Sequence, residues 1–271
     1  MKRCRTCGGS GIVFDRDVQA AGPGELRLCG CIEKQCGCGG APPYQVFDKD
    51  GVHSWCVCRA PRLKLEATKK HFRDSDIPKK YLWKFCDDFK MDFDDAAYVR
   101  TANKIIGLIG TLKDKPSDEK WKGGFYLWGP AGSGKTLLAC ITLQELMLKY
   151  GQAGRFVDLS RQFFQRLKRS YDATDESYGT SGRIIEELIS VPFIVIDDFG
   201  VQRNTEWESE MLYNLIDSRY AEERITIITS NADISDFKTV AYGRVYSRIL
   251  EMCRIIHVDL PDYRVKYSHI I

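Results

Sequence analysis

Long apolar runs are missing from this chain of 271 residues. No stretch comes near the roughly 20 consecutive apolar residues that a membrane-spanning helix requires, and the opening residues Met1 to Cys4 do not begin a secretory signal peptide. A large net charge is missing as well, because 40 Lys and Arg against 37 Asp and Glu leave a net charge of only +3. We therefore expect neither a membrane protein nor a secreted one, and predict a cytoplasmic protein.

The mild positive charge is unevenly distributed along the chain. Residues 1–70 hold 12 Lys and Arg against 7 Asp and Glu, whereas residues 71–271 hold 28 against 30. A slightly basic front permits contact with a nucleic acid or with an acidic partner. A solvated surface explains the same excess more simply, so the charge alone assigns no partner.

Cysteine is concentrated near the start of the chain, where eight of the 11 cysteines form four close pairs within the first 58 residues. Thiolates one or two residues apart on a tight turn present two ligands to one tetrahedral ion, and two such turns complete a structural zinc site. We predict two zinc ions, held by the sets Cys4, Cys7, Cys29, Cys31 and Cys36, Cys38, Cys56, Cys58. An interleaved pairing and a ligand role for His53 remain open, and a disulfide framework is disfavoured in a reducing cytoplasm.

The rest of the chain alternates between short apolar runs and helical patterns. The apolar runs predict strands over 125–128, 155–159, 193–197, 225–229 and 255–260. Helices are predicted over 136–150, after Ser160, and from about 205 to 221. Strands separated by helices indicate an α/β fold with a parallel sheet covered on both faces, in which ligands gather at the carboxyl ends of the strands.

Composition divides the chain into three segments. The cysteine-rich part predicts a zinc-binding N-terminal domain over 1–60. A basic, polar stretch that contains Pro78 predicts a linker over 61–80, and the alternating pattern predicts an α/β domain over 81–271.

A phosphate-binding loop of the form G-x-x-x-x-G-K-T lies between the first predicted strand of the α/β domain and the helix that follows. It consists of Gly129, Pro130, Ala131, Gly132, Ser133, Gly134, Lys135 and Thr136. Glycines let backbone N–H groups surround a β-phosphate, the lysine reaches the β- and γ-phosphate oxygens, and the threonine hydroxyl can bind Mg²⁺. The positive end of the helix points at the same phosphates. We therefore predict a nucleoside triphosphate site.

Two adjacent carboxylates end the apolar strand predicted at 193–197. Asp197 is expected to hold Mg²⁺, and Asp198 is expected to polarise the attacking water as a general base. Many such ATPases have Glu at the second position, and Asp is one methylene shorter. Hydrolysis is therefore expected to be slow or to depend on a partner.

Further polar residues follow the later elements. Asn231 comes directly after the strand predicted at 225–229, where it can orient the attacking water or contact the γ-phosphate. Arg244 and Arg248 are four residues apart and share one face if the segment is helical. Either arginine could reach the nucleotide of a neighbouring copy, and ordinary surface arginines have the same spacing.

Together these residues resemble the AAA+ ATPases and, more narrowly, the bacterial and phage helicase loaders of the DnaC/DnaI type. The resemblance rests on Ile77-Pro78-Lys79-Lys80-Tyr81, Gly129 to Thr136, Ile196-Asp197-Asp198-Phe199-Gly200, Trp207 with Arg219-Tyr220, Thr229-Ser230-Asn231, Arg244 to Leu250, and Asp262-Tyr263-Arg264. It implies a P-loop AAA+ parallel sheet preceded by a small zinc-ribbon-like domain. Loaders of this type lack a C-terminal helical lid, and we expect none within the 143 residues from Gly129 onward.

The family resemblance also implies roles for single residues. The position that matches Arg248 is the arginine finger, the one that matches Asn231 is sensor 1, and the one that matches Arg264 is sensor 2. It further implies ATP with Mg²⁺ as the nucleotide, self-association into a ring or spiral, and an N-terminal domain that binds a hexameric replicative helicase of the DnaB type. Such a protein acts in a bacterial cytoplasm, encoded by the bacterium or by a phage.

A basic and aromatic segment after Ser160 is a candidate surface for single-stranded DNA. The candidate residues are Arg161, Arg166, Lys168, Arg169 and Tyr171. Cations would follow the phosphates while an aromatic ring stacks on a base. The same spacing also describes an amphipathic helix that buries Phe163, Phe164 and Leu167. The resemblance places a DNA-contacting helical insertion here, and both readings stay open.

The function predicted from the sequence is an ATP-dependent helicase loader that places a replicative helicase on single-stranded DNA. An IstB-like transposition helper shares the ATPase core and the missing lid but partners a transposase, and the four cysteine pairs argue against it. A zinc-dependent nucleic-acid-binding adaptor, switched by ATP, is a third reading from a different class.

Overall fold

The computed structural model describes residues 4–15, 24–86, 103, 107, 123–159, 163–172, 174, 179–200, 205–238 and 243–262. In these ranges no helix has the length and apolarity that crossing a membrane demands. The described residues form three sheets: two small antiparallel hairpins at the start of the chain and one five-stranded parallel sheet.

The parallel sheet confirms the fold class predicted from the sequence. Its strands are β5 (Gly124–Trp128), β6 (Gly154–Asp158), β7 (Phe193–Phe199), β8 (Ile225–Ser230) and β9 (Cys253–His257), in the order β6-β7-β8-β5-β9. The last strand begins two residues earlier than predicted and stops at His257. It stops there because its partner β5 ends at Trp128, directly before the phosphate-binding loop.

Helices cover both faces of this sheet. They are α2 (Arg59–Arg73), α3 (Lys135–Tyr150), α4 (Phe164–Arg169), α5 (Ser181–Ser190), α6 (Glu206–Ala221) and α7 (Gly243–Met252), after a single turn α1 (Gly30–Glu33). Side chains alternate along each strand, so Phe125 and Leu127 join the apolar cluster under α2 and α3, while Tyr126 joins the one under α5, α6 and α7. The central strands are therefore buried on both sides.

The cysteine-rich part of the chain forms the two antiparallel hairpins. The first is β1 (Ile12–Asp15) with β2 (Glu25–Leu28), and the second is β3 (Gln45–Phe47) with β4 (His53–Trp55). Each hairpin is flanked by two of the cysteine pairs. No disulfide bond is formed within the described ranges.

The linker predicted over 61–80 needs correction, because most of it is helix α2. Leu65, Thr68 and Phe72 are buried at helical spacing, and Phe72 stacks on Trp83 with ring centroids 4.6 Å apart. Lys70 and Arg73, two of the basic residues that indicated a linker, are exposed on this amphipathic helix. Phe14 of the first hairpin stacks on the same Trp83, so this hairpin shares the core of the parallel sheet.

Arg219 is fully buried between α5 and β8, a position that composition alone does not predict for arginine. Its guanidinium donates to the carbonyl oxygens of Leu188, Ile189, Val191 and Ile225 and to the hydroxyl of Thr226, over 2.7 to 3.2 Å. Three of these carbonyls belong to the carboxyl end of α5, whose dipole favours a cation. Burial lowers the pKa of Arg219 to about 9, which still leaves the guanidinium charged at neutral pH.

Candidate active site and metal centres

The phosphate-binding loop connects β5 to α3 in a conformation that requires its glycines. Gly132 and Gly134 have φ of 80° and 86°, in the left-handed region that glycine adopts without strain. A Cβ on Gly129 would lie 2.4 Å from the carbonyl oxygen of Val258, so the loop passes close to β9. The Lys135 ammonium is buried and donates to the carbonyl oxygens of Gly129 and Pro130, at 2.9 and 2.7 Å. The lysine therefore points into the loop that would surround a phosphate.

The loop and the end of β7 meet at Asp197. The hydroxyl of Thr136 donates to the Asp197 carboxylate at 3.0 Å, and the hydroxyl of Thr229 on β8 donates to the same oxygen at 2.5 Å. Burial raises the pKa of Asp197 to about 6, against the lowering effect of the Thr229 hydrogen bond. A hydroxyl and a carboxylate held together at a phosphate site are ligands that suit Mg²⁺. The structure thus brings together the two residues that the sequence predicts as its ligands.

Asp198 differs sharply from its neighbour in conformation. Its φ is 59°, and the register between β7 and β8 shifts between Ile196 and Phe199. The backbone N–H of Asp198 donates to the hydroxyl of Thr229 at 3.1 Å, which helps to hold this irregularity. Asp adopts the left-handed region more readily than most residues, so the short acid suits this backbone. Asp197 is 5% exposed whereas Asp198 is half-buried, which fits a metal ligand beside a group that reaches water.

Thr229 is the site residue that sequence reasoning missed. It is fully buried and links the Asp197 carboxylate to the Asp198 backbone. The sequence feature that could have indicated Thr229 is a hydroxyl residue at the carboxyl end of a predicted strand, two residues before Asn231. Asn231 itself is exposed, just past the end of β8.

The two candidate finger arginines lie on α7, which packs against α6. Arg248 donates from Nε to the Asp217 carboxylate at 2.6 Å, and its guanidinium lies 4.5 Å from the centre of the Tyr220 ring. Asp217 raises the pKa of Arg248 through this hydrogen bond. Arg244 lies 5.7 Å from the ring of Tyr213. Both arginines therefore sit against α6 of their own chain, and about a third of the Arg248 side chain stays accessible.

The candidate DNA segment is the short helix α4 and the residues after it. Phe163, Phe164 and Leu167 are buried, as the amphipathic reading predicts, and the exposed residues are Arg166, Lys168, Arg169 and Tyr171. Lys168 pairs with the buried Glu208 at 2.9 Å, so its charge is already matched within the chain. Arg161 and Arg264 lie outside the described residues.

The eight N-terminal cysteines assemble into two clusters, with the pairing predicted from consecutive hairpins. In each cluster the four sulfur atoms lie within 4.8 Å of one another: Cys4, Cys7, Cys29, Cys31 in the first and Cys36, Cys38, Cys56, Cys58 in the second. Sulfur contacts are 3.7 and 3.8 Å in the first cluster and 3.4 to 4.0 Å in the second. Four thiolates about 2.3 Å from a tetrahedral zinc ion would stand about 3.8 Å apart, whereas a disulfide bond is about 2.05 Å long. The clusters fit zinc.

The thiols of each cluster affect one another's ionisation and that of the groups beside them. Backbone N–H groups, led by that of Cys7, lower the pKa of Cys4 to about 6, whereas the neighbouring Cys29 thiol raises the pKa of Cys31 to about 12. Once one thiol of the cluster is ionised, its neighbours lose their protons less readily. A bound metal ion would lower the pKa of all four thiols. In the second cluster, the Cys58 thiol raises the pKa of the Arg62 guanidinium, which lies one turn into α2.

A model of the family of IstB-like ATP binding proteins matches residues 120–269, more than half of the chain. The chain belongs to this family. The match includes the phosphate-binding loop, both aspartates at the end of β7, and α7. The cysteine clusters and α2 precede the matched part of this IstB-like protein.

Two curated relatives are similar to about half of this IstB-like protein. The chain is 31% identical over 136 residues to "Uncharacterized protein YdaV" of Escherichia coli strain K12, covering 49% of this chain and 52% of the relative. It is 25% identical over 126 residues to "Replicative helicase loader DnaC" of the same strain, covering 46% and 49%. The chain therefore spans about half the length of the curated relatives it matches.

Solved structures extend the similarity over more of this IstB-like protein. A crystal structure of the DnaC helicase loader matches 66% of this chain and 99% of its own length, at 26% identity and a TM-score of 0.54. A crystal structure of DnaI matches 69% and 94%, at 22% identity and the same TM-score, and shows the shared fold. The domain is an AAA+ ATPase domain, as the sequence resemblance predicted.

Proposed function

We propose that this protein is an ATP-dependent helicase loader that binds a hexameric replicative helicase and places it on single-stranded DNA. The observation that carries the proposal is the joined site of Lys135, Thr136 and Asp197, in an AAA+ domain that resembles the DnaC helicase loader over nearly its whole solved length. ATP binding at this site would favour binding of the helicase, and hydrolysis would favour its release.

The residues of the loop fit ATP with Mg²⁺. Backbone N–H groups between Gly129 and Lys135 would surround the β-phosphate, and the Lys135 ammonium would exchange its two carbonyl acceptors for phosphate oxygens. Thr136 and Asp197 would hold Mg²⁺, which neutralises charge on the phosphates when it is bound. Asp198 would accept the proton of the water that attacks the γ-phosphate, giving ADP and phosphate.

The remaining site residues act at the borders of this centre. Asn231 would orient the attacking water. Arg248 would leave Asp217 and Tyr220 to reach the nucleotide of a neighbouring copy in a ring or spiral, and Arg264 would contact the nucleotide of its own chain. The hydrogen bond between Arg248 and Asp217 would hold the Arg248 side chain against α6 until the neighbouring copy binds.

We propose that the protein binds the single-stranded DNA on which it places the helicase. The exposed Arg166, Arg169 and Tyr171 on and after α4, with Arg161, would contact it by ion pairs and stacking. Lys168 contributes less, because Glu208 already neutralises it. We place this activity in the bacterial cytoplasm, for a protein encoded by a bacterium or a phage.

Each cysteine cluster is proposed to hold one zinc ion, and Cys58→Ser is expected to remove one of two. The second cluster would lose a ligand while the first keeps all four, so metal content should fall from two ions per chain to one. Metal analysis by inductively coupled plasma mass spectrometry measures this directly. Cys86→Ser, which changes a cysteine outside both clusters, should leave two. Equal metal content in Cys58→Ser and the unaltered protein would refute the second site.

Two other functions share the same ATPase core. A transposition helper is favoured by the family model, whose description names IstB, and would bind a transposase in place of a helicase. A nucleic-acid-binding adaptor would need ATP only as a switch. The identity of the protein partner distinguishes the transposition helper from the loader. A requirement for ATP hydrolysis distinguishes the loader from the adaptor.

The experiment that tests the proposal is a pull-down of the full-length protein with the purified replicative helicase of the same bacterium, with and without ATP. We expect the protein to retain the helicase and the retention to depend on ATP. Lys135→Ala should remove the dependence, because the loop then lacks the cation that holds the β- and γ-phosphates. Deletion of residues 1–70 is unsuitable here, since it would cut α2 and strip the core of Leu65.

Failure of the full-length protein to retain helicase at micromolar concentration would contradict the loader proposal. Retention of a transposase in the same assay would support the transposition helper. Binding of DNA alone, with neither protein partner, would support the adaptor.

A further inference from the structure

A buried glutamate beside the candidate DNA segment has only one of its two carboxylate oxygens paired. Glu208, in the first turn of α6, is 3% exposed, and its Oε1 accepts from the Lys168 ammonium at 2.9 Å. Its Oε2 is buried and has no hydrogen-bond partner among the described residues. Buried polar atoms are almost always hydrogen-bonded, so an unpaired oxygen on a buried charge requires an explanation.

The start of α6 offers this carboxylate a second partner. The helix begins after Thr205, whose hydroxyl accepts from the backbone N–H of Glu208 at 3.2 Å. The sequence Thr205-Glu206-Trp207-Glu208 is a capping box, in which the glutamate side chain also accepts from the backbone N–H of the threonine. Within the described part of the chain that second hydrogen bond is not formed, and the carboxylate pairs with Lys168 instead. Only half of the capping box is therefore complete.

Lys168 is the member of the ion pair that can move towards DNA. Its side chain is 56% exposed, and its ammonium lies 5.6 Å from the centre of the Trp207 ring. Trp207 in turn contacts the exposed ring of Tyr171, with centroids 6.1 Å apart. A cation beside an exposed aromatic ring suits single-stranded DNA. We name as the α4 surface the exposed residues Arg166, Lys168, Arg169 and Tyr171.

A phosphate of DNA and the Glu208 carboxylate would compete for the same ammonium group. Withdrawal of Lys168 would leave the buried carboxylate without a cation, which costs much more than the loss of an exposed ion pair. The free backbone N–H at the start of α6 would offset part of that cost, because it can donate to the carboxylate in place of Lys168. Lys168 is therefore restrained by Glu208 without being permanently fixed.

We propose that Glu208 sets the affinity of the α4 surface for single-stranded DNA. It withholds Lys168 from the phosphates, and it completes the capping box with Thr205 when Lys168 leaves. This inference rests on the DNA contact in the proposed function and goes beyond it, because it assigns a residue that weakens this contact. A restrained cation suits a protein that must release the strand after it has placed the helicase.

The test is the affinity of the full-length protein for a fluorescein-labelled oligothymidylate, measured by fluorescence anisotropy with a non-hydrolysable ATP analogue present. Glu208→Gln is expected to lower the Kd about 10-fold, because glutamine can form the same capping box but has no charge to hold Lys168. The slope of log Kd against log salt concentration should steepen by about 0.7, which is the contribution of one further phosphate contact on a single strand. A merely structural role for Glu208 would leave this slope unchanged.

Glu206→Gln is the matched control, since it makes the same change at an exposed residue in the same turn of α6. It should change the Kd less than about 2-fold, because salt screens exposed charges. Lys168→Met in the Glu208→Gln background should abolish the gain in affinity, and this double variant leaves no buried charge without a partner. Glu208→Met, which also lacks the charge, provides a second variant that should show the steeper slope. Melting temperatures identify any variant that fails to fold.

Three results would overturn the inference while the DNA contact itself stands. They are unchanged or weaker DNA binding by both Glu208 variants, an equal gain from Glu206→Gln, and a gain that survives the removal of Lys168. If neither the unaltered protein nor any variant binds the oligothymidylate, the DNA contact in the proposed function fails together with this inference.

Discussion

Replacing Asp198 with asparagine is expected to lower the rate of ATP hydrolysis at least about 100-fold, which is the usual contribution of a general base. The amide cannot accept a proton from the attacking water, yet it is nearly the same size as the carboxylate. Asn also tolerates the left-handed backbone that residue 198 adopts, with φ of 59°. ATP should therefore still bind, because Lys135, Thr136 and Asp197 are unchanged. Steady-state phosphate release and binding of a fluorescent ATP analogue measure the two effects separately.

The matched control for this substitution is Asp236→Asn, the same change at an exposed residue after β8, which should hydrolyse ATP normally. The variant also separates the mechanisms. A loader that cycles should stall with helicase bound, whereas an adaptor that needs only ATP occupancy should keep its activity. Unchanged hydrolysis in Asp198→Asn would show that another group activates the water.

Replacing Arg219 with methionine is expected to destabilise the protein by about 4 kcal/mol. Methionine fills a similar volume but leaves the carbonyl oxygens of Leu188, Val191 and Ile225 buried without their donor. Each such unsatisfied group costs about 1 to 3 kcal/mol, and the carboxyl end of α5 also loses its cation. For a chain of this size the melting temperature should fall by about 10 °C, as measured by differential scanning calorimetry.

Arg224→Met is the control for Arg219. Arg224 lies five residues away, its side chain is 37% exposed, and it pairs only with the exposed Glu222 among the described ion pairs. An exposed pair of this kind contributes little, so stability should change by less than about 1 kcal/mol. Equal melting temperatures for the two variants would mean that water or another donor satisfies the carbonyls after Arg219 is removed.

Local patterns were sufficient for much of the nucleotide site. The G-x-x-x-x-G-K-T segment predicts a loop between strand and helix, because its glycines allow the backbone conformation and its lysine and threonine supply the ligands. The alternation of apolar runs predicts the parallel sheet, which in turn predicts that Asp197 and Thr136 meet at its edge. The pairing of cysteines from consecutive hairpins followed from the short separations along the chain.

Other parts of the molecule depend on contacts between residues far apart in sequence. The segment 61–80 reads as a polar linker because only Leu65, Thr68 and Phe72 of α2 are buried, and the apolar surfaces that bury them come from elsewhere in the chain. Thr229 becomes part of the site only because β8 lies beside β7.

Sequence by itself determined the family, the phosphate loop, the cysteine sets that could hold a metal and the strand-helix alternation, because each depends on residue identity at short spacing. Only the tertiary structure decided that Arg219 is a buried cap of α5 and that Arg248 rests against Asp217. It likewise decided that one cysteine hairpin packs into the core while the other stays exposed. The physical reason is that a side chain is buried or paired only by contact with another surface. In each of these cases that surface comes from a distant part of the chain.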